Sequence, residues 1–185
     1  VIEGQASVAV EIERQLGSTP DHIILPVGGG GLSSGMLSYF GTSSQFTLVE
    51  PLGGACLWAA LIAGKPVKLD KVDTFADGAA VGQIGQRTFE CLKSIGLANV
   101  LRIPEDRICI TMLEMLNIEG IVLEPAGALA IDALQDLGQM IRGRKVVCVS
   151  SGGNFDFERL PEVKERAQRF AGVKTGNANL ANRRL

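Results

Sequence analysis

Apolar positions along the chain switch between a helical period and short β-branched runs. Residues 6–16 place Val8, Val10, Ile12 and Leu16 on or near one face and stop at Gly17, which predicts an amphipathic helix. A β-branched run over 23–27 predicts a strand, 32–40 a helix, 46–50 a second strand, and 56–63 a helix stopped by Gly64 and Pro66. Residues 65–82 have no period and are expected to form a loop. Helices over 86–94, 105–117 and 126–137 then alternate with strands over 100–103 and 145–150, and a last helix covers 162–170. Short βα units in this order predict an α/β fold: a parallel twisted sheet flanked by helices in three layers. The pattern holds over residues 1–171. From residue 172 it gives way to a polar, asparagine-rich and basic stretch, so 172–185 are expected to be a flexible polar tail.

Composition adds exclusions. A chain of 185 residues, 46% of them hydrophobic and 23 of them glycine, suits one domain whose strands are buried on both faces. The net charge of −2 with scattered basic residues makes no electrostatic case for nucleic acid or an anionic membrane. No apolar run reaches membrane-span length, and no signal-peptide pattern opens the sequence. Cys56, Cys91, Cys109 and Cys148 form no C-x-x-C pair, which is the pattern of reduced thiols in a cytoplasmic protein. With a single histidine, His22, a zinc site is not expected.

The stretch that carries chemistry is Pro26-Val27-Gly28-Gly29-Gly30-Gly31-Leu32, between a predicted strand and a predicted helix. Glycines there let an anion approach the backbone amides, and the helix start adds unpaired N–H groups, so phosphate is the expected ligand. The alternative is a tight glycine turn with no ligand. Spacing removes other motifs. A dinucleotide fingerprint would need its third glycine at Ser33 or Ser34, and a P-loop spaced on Gly30 and Gly35 would need lysine where Met36 stands. Gly31-Leu32-Ser33-Ser34-Gly35 fits a nucleophile elbow, but that arrangement requires a histidine after the serine, and His22 precedes it. A second glycine loop, Ser150-Ser151-Gly152-Gly153-Asn154, follows the last strand. If the two strands are parallel neighbours, both loops face one pocket; otherwise the second is a strand-ending turn.

Six segments in order resemble the catalytic region of threonine ammonia-lyases, pyridoxal-phosphate enzymes of the tryptophan-synthase-β fold (fold type II). They are Val1-Ile2-Glu3-Gly4-Gln5-Ala6-Ser7, the Pro26 to Leu32 run, Val49-Glu50-Pro51 with Ala55-Cys56-Leu57, Asp77-Gly78-Ala79-Ala80-Val81, Glu124-Pro125-Ala126-Gly127-Ala128, and Ser151-Gly152-Gly153-Asn154. The resemblance implies an incomplete fold-type-II large domain that binds pyridoxal 5'-phosphate. It puts the amides of Gly28, Gly29, Gly30, Gly31 and Leu32 on the cofactor phosphate and Ser151 at the pyridine nitrogen. Glu124 and Asp77 it assigns to the pocket wall rather than to proton transfer. It further implies β-elimination of threonine, or of serine, to 2-oxobutanoate or pyruvate and ammonia, in isoleucine biosynthesis. A small amino-acid substrate, a cytoplasmic or organellar setting and a homo-oligomer go with it. Related serine racemases hold a divalent cation partly on E-P-x-x-A-x-D. In that register from Glu50, Gly54 and Cys56 replace the alanine and aspartate, so no metal site carries over.

The Schiff-base lysine of the family lies in an S-x-x-K-x-R-G-A segment, and none of Lys65, Lys68, Lys71, Lys93, Lys145, Lys164 and Lys174 has that context. The opening at Val1, directly in family sequence, leads us to expect a piece of a larger enzyme, inactive alone and without catalytic residues of its own. Other readings are a non-catalytic phosphate-binding module and, within the same fold, serine racemisation or β-replacement.

Overall fold

The computed structural model of the chain describes the backbone of residues 1–181 and the side chains of residues 1–172. Four strands, β1 (His22–Pro26), β2 (Gln45–Pro51), β3 (Val100–Ile103) and β4 (Val146–Cys148), form one sheet in the order β3-β2-β1-β4. Every pairing is parallel, with Leu25 opposite Leu48, Ile24 opposite Cys148 and Val49 opposite Leu101. Side-chain alternation splits the core into two halves. Ile23, Leu25 and Leu48 point to the face covered by α1 (Ile2–Leu16), α2 (Gly31–Phe40), α3 (Cys56–Ala63) and α4 (Gln86–Leu92). Ile24 and Val49 point to the face covered by α5 (Glu105–Glu114), α6 (Pro125–Asp132), α7 (Leu134–Leu137) and α8 (Leu160–Ala181). This is the three-layer α/β arrangement expected from the pattern.

Strand β1 is the topological switch of the sheet. From β1 the chain leaves through α2 on one face to pair as β2, whereas β4 lies on the other side of β1 and its chain leaves toward α8 on the opposite face. The loops that follow β1 and β4 therefore diverge and leave a crevice at the C-terminal ends of the strands.

Several boundaries differ from the periodic reading for tertiary reasons. Helix α1 begins at Ile2 rather than residue 6 because it lies against Gly35 of α2, where a Cβ would stand 2.7 Å from both Ile2 O and Ala6 N. The helix over 105–117 turns from α to a π-turn at Met115–Glu119 and stops at Gly120, whose φ is 68°. The one over 126–137 divides into α6 and α7. Helix α8 continues to Ala181, through much of the stretch whose composition predicts a tail; residues 182–185 lie outside the described residues. Arg166 fastens α8. Its guanidinium lies 4.2 Å from the Phe75 ring centre and pairs with Asp106 (3.2 Å), Glu162 (3.0 Å) and Asp73 (3.7 Å). All four cysteines are free thiols, with Cys56 and Cys109 buried. No helix among the described residues is long and apolar enough to cross a membrane.

Candidate functional site

After β1 the backbone passes through four glycines, and at two of them the geometry demands glycine. A Cβ on Gly28 would lie 3.0 Å from Gly78 O and 3.3 Å from Ala79 Cα, so the loop after β1 touches the 77–79 turn backbone to backbone. Gly30 caps α2 in the left-handed region at φ 81°, with Thr88 Cβ 3.0 Å from where its Cβ would be. The Thr88 hydroxyl donates to Gly29 O at 2.8 Å, tying the loop to α4. The first amide bond of α2 runs from Ser34 N–H to Gly30 O at 2.9 Å. The N–H groups of Gly31, Leu32 and Ser33 precede it and have no acceptor within the helix. No acidic residue occupies the first turn of α2, so nothing covalently attached competes for the positive end of the helix.

The loop after β4 is held by the start of α6. Ser150 Oγ donates to Gly127 O at 3.0 Å, and Glu124 N–H donates to Gly152 O at 3.1 Å. The approach is close enough that a Cβ on Gly127 would lie 2.3 Å from Gly152 O. This contact presents Ser151, exposed, to the crevice. The third wall is the 77–79 turn, whose approach is fixed by Asp73: its carboxylate accepts the Phe75 N–H at 2.9 Å.

These walls enclose a cavity of about 280 Å³, at the lower end of the range for small-molecule sites. Gly28, Gly29, Gly30, Gly31, Leu32 and Ser151, the residues singled out from sequence, all line it, with Gly78, Ala79, Glu124 and Ala126 opposite. Gln5 and Ser33 line it as well and were not singled out. Ser33 had a faint signal, a hydroxyl on the first turn of a helix, and Gln5 stands in the first of the six segments that carry the resemblance; Thr88 had none, because its role depends on distant chain. Glu124 carries a carboxyl pushed up first by burial and then by the nearby charge of Asp77. No lysine among the described residues lines the cavity.

Beneath the loop, Glu50 is fully buried, and its carboxylate accepts the N–H groups of Leu57 (2.7 Å) and Trp58 (2.8 Å) at the start of α3. Burial nevertheless pushes this carboxyl up to about 7. The Cys56 thiol donates to Gly28 O at 3.6 Å, and burial pushes it up to about 12, so it packs under the loop as an unreactive neutral group. Among the described residues no group of three or more His, Cys, Asp or Glu side chains is placed to hold a metal ion.

Comparison with known proteins adds to this geometry. The family model described as pyridoxal-phosphate dependent enzyme matches residues 1–152. The L-threonine dehydratase biosynthetic IlvA of Bacillus subtilis (strain 168) is 43% identical over 177 residues, which cover 94% of the chain and 42% of that protein. The processed form of threonine deaminase isoform 2 from Solanum lycopersicum superposes with a TM-score of 0.81 at 34% identity, over 90% of this chain and 49% of that one. Serine racemase from Dictyostelium discoideum superposes with a TM-score of 0.70 at 31% identity, over 83% of this chain and 50% of that one. The chain thus spans about 42% of the curated relatives it matches and about half of the solved structures.

Proposed function

Because the chain belongs to the family of pyridoxal-phosphate dependent enzymes, we propose that its cavity at the β1–β4 crevice seats that cofactor, and that the full-length protein converts L-threonine to 2-oxobutanoate and ammonia. The observation that carries the reading is the cup itself. Unpaired amides at the start of α2, reached over four consecutive glycines that line the cavity, fit a phosphate, and Ser151 stands in the same cavity.

In this reading the amides of residues 28–32 hold the phosphate and Ser151 faces the pyridine nitrogen. Bound pyridoxal phosphate supplies an electron sink next to the substrate α-carbon. The Ser151 hydroxyl contributes a hydrogen bond and no counter-charge, which stabilises a protonated ring less than a carboxylate would. That suits an elimination, in which the leaving hydroxyl carries the electrons away. Glu124, whose carboxyl is pushed up by burial and by the charge of Asp77, closes the pocket on its far side. The reaction also needs a lysine amine to engage the cofactor and move the α-proton. It would come from a part of the full-length protein other than the walls described.

A free amino acid as substrate, a cytoplasmic setting and a homo-oligomeric working form belong to the same proposal. Incubating the full-length protein with L-threonine and pyridoxal phosphate, and measuring 2-oxobutanoate and ammonia, tests the activity. Cofactor binding with no 2-oxobutanoate would favour a binding module, and D-serine formed from L-serine would favour the racemase chemistry of the Dictyostelium relative.

A further inference from the structure

One buried side-chain polar group of the cavity has no hydrogen-bond partner among the described residues. Ser33, the third residue of α2, is 1% exposed, and its hydroxyl makes no hydrogen bond although it lines the cavity. A buried hydroxyl without a partner is costly, and a helical serine has an easy remedy in the carbonyl one turn back. Ser33 does not use it. Its neighbour Ser34, fully buried, does find an acceptor, Thr88 O at 3.4 Å. The orphaned hydroxyl follows directly on the unpaired amides of Gly31 and Leu32, where the positive end of α2 opens onto the cavity.

We propose that Ser33 Oγ is a side-chain ligand of the phosphate held by the glycine cup, donating its O–H to a phosphate oxygen. The proposal rests on reading this cavity as the cofactor's phosphate site. Phosphate oxygens accept only, and a hydroxyl that can rotate supplies the donor that fixed amides leave unmatched. The hydroxyl is then a burden to the empty protein and an asset to the loaded one. Removing it moves the two states in opposite directions, which a merely structural serine would not do.

The test is Ser33→Ala in the full-length protein, with Ser34→Ala alongside. Pyridoxal phosphate affinity is read by fluorescence titration, inorganic phosphate by its competition in the same titration, and the melting temperature of the cofactor-free form by calorimetry. Ser33→Ala is expected to weaken both ligands about tenfold, as for a lost hydrogen bond to a charged group. It should also raise the melting temperature of the empty form by about 2 °C. Ser34→Ala should leave both affinities within about twofold. A Ser33→Ala protein that binds both ligands as tightly as the parent, or whose empty form melts lower, overturns the proposal and leaves the cofactor site standing. A parent protein that binds neither ligand overturns both.

Discussion

At Gly30 two costs of a side chain separate cleanly. Gly17 and Gly30 both cap helices in the left-handed region, at φ 64° and 81°. A Cβ on Gly17 meets nothing within 4 Å, whereas one on Gly30 lies 3.0 Å from Thr88 Cβ and 3.2 Å from Ile84 Cδ1 and Leu92 Cδ1. Gly17→Ala is therefore expected to cost only the backbone term, about 1 kcal/mol. Gly30→Ala adds crowding and should cost about 2–3 kcal/mol, read from urea midpoints, with weaker cofactor binding as the loop shifts. Glu50 gives a second residue-scale prediction, in pH. Its carboxyl titrates near 7 in the folded chain against the usual 4.5, so between those values the folded state holds a proton that the unfolded state has lost. Stability from this group is full below about pH 4.5 and falls as pH rises toward 7, by a total of about 3 kcal/mol. The stability of the parent minus that of Glu50→Gln, measured by urea unfolding between pH 5 and 8, should decline with that sign. A flat difference would mean that the Leu57 and Trp58 amides outweigh burial.

Among the elements, the contact of α6 with the loop after β4 joins the halves of the site. Gly127→Ala would drive a methyl into Gly152 O, 2.3 Å from its ideal position, and the loop carrying Ser151 must yield. The expected result is a loss of about 2 kcal/mol in stability together with weaker pyridoxal phosphate binding; an unchanged affinity would detach Ser151 from the cofactor. How much of this was legible in the sequence follows from the range of each interaction. The phosphate cup could be read because glycines, strand and helix start are contiguous. Helix α3 was placed at its true bounds because apolar residues run to Gly64 with stop signals beyond. The early start of α1 could not be read, since it depends on Gly35 of another helix. The role of Thr88 escaped for the same reason, since it acts on a carbonyl 59 residues away; Ser33 left only its hydroxyl on a first turn as a hint, because the folded cavity is what leaves that hydroxyl alone. The π-turn at Met115–Glu119 left no mark on the apolar period either.

For the whole molecule, the cavity is a junction between both faces of the sheet. Its lining comes from α1 through Gln5, α2 through Ser33, the 78–79 turn, the start of α6 and the loop after β4, so one ligand touches elements packed against opposite faces. Among the described residues, those elements are otherwise held together largely through the four strands between them. A ligand that binds the folded form alone stabilises it by mass action, by about 2.7 kcal/mol at a concentration 100 times its dissociation constant. Here the gain should be shared by both layers, because neither can open without breaking the cup. Saturating pyridoxal phosphate is therefore expected to raise the unfolding temperature as one transition and to slow amide hydrogen exchange in α2 and α6 together. Protection confined to α2 would mean that the ligand engages the glycine cup without reaching Ser151, and the cofactor would then have to lie in a different orientation from the one proposed.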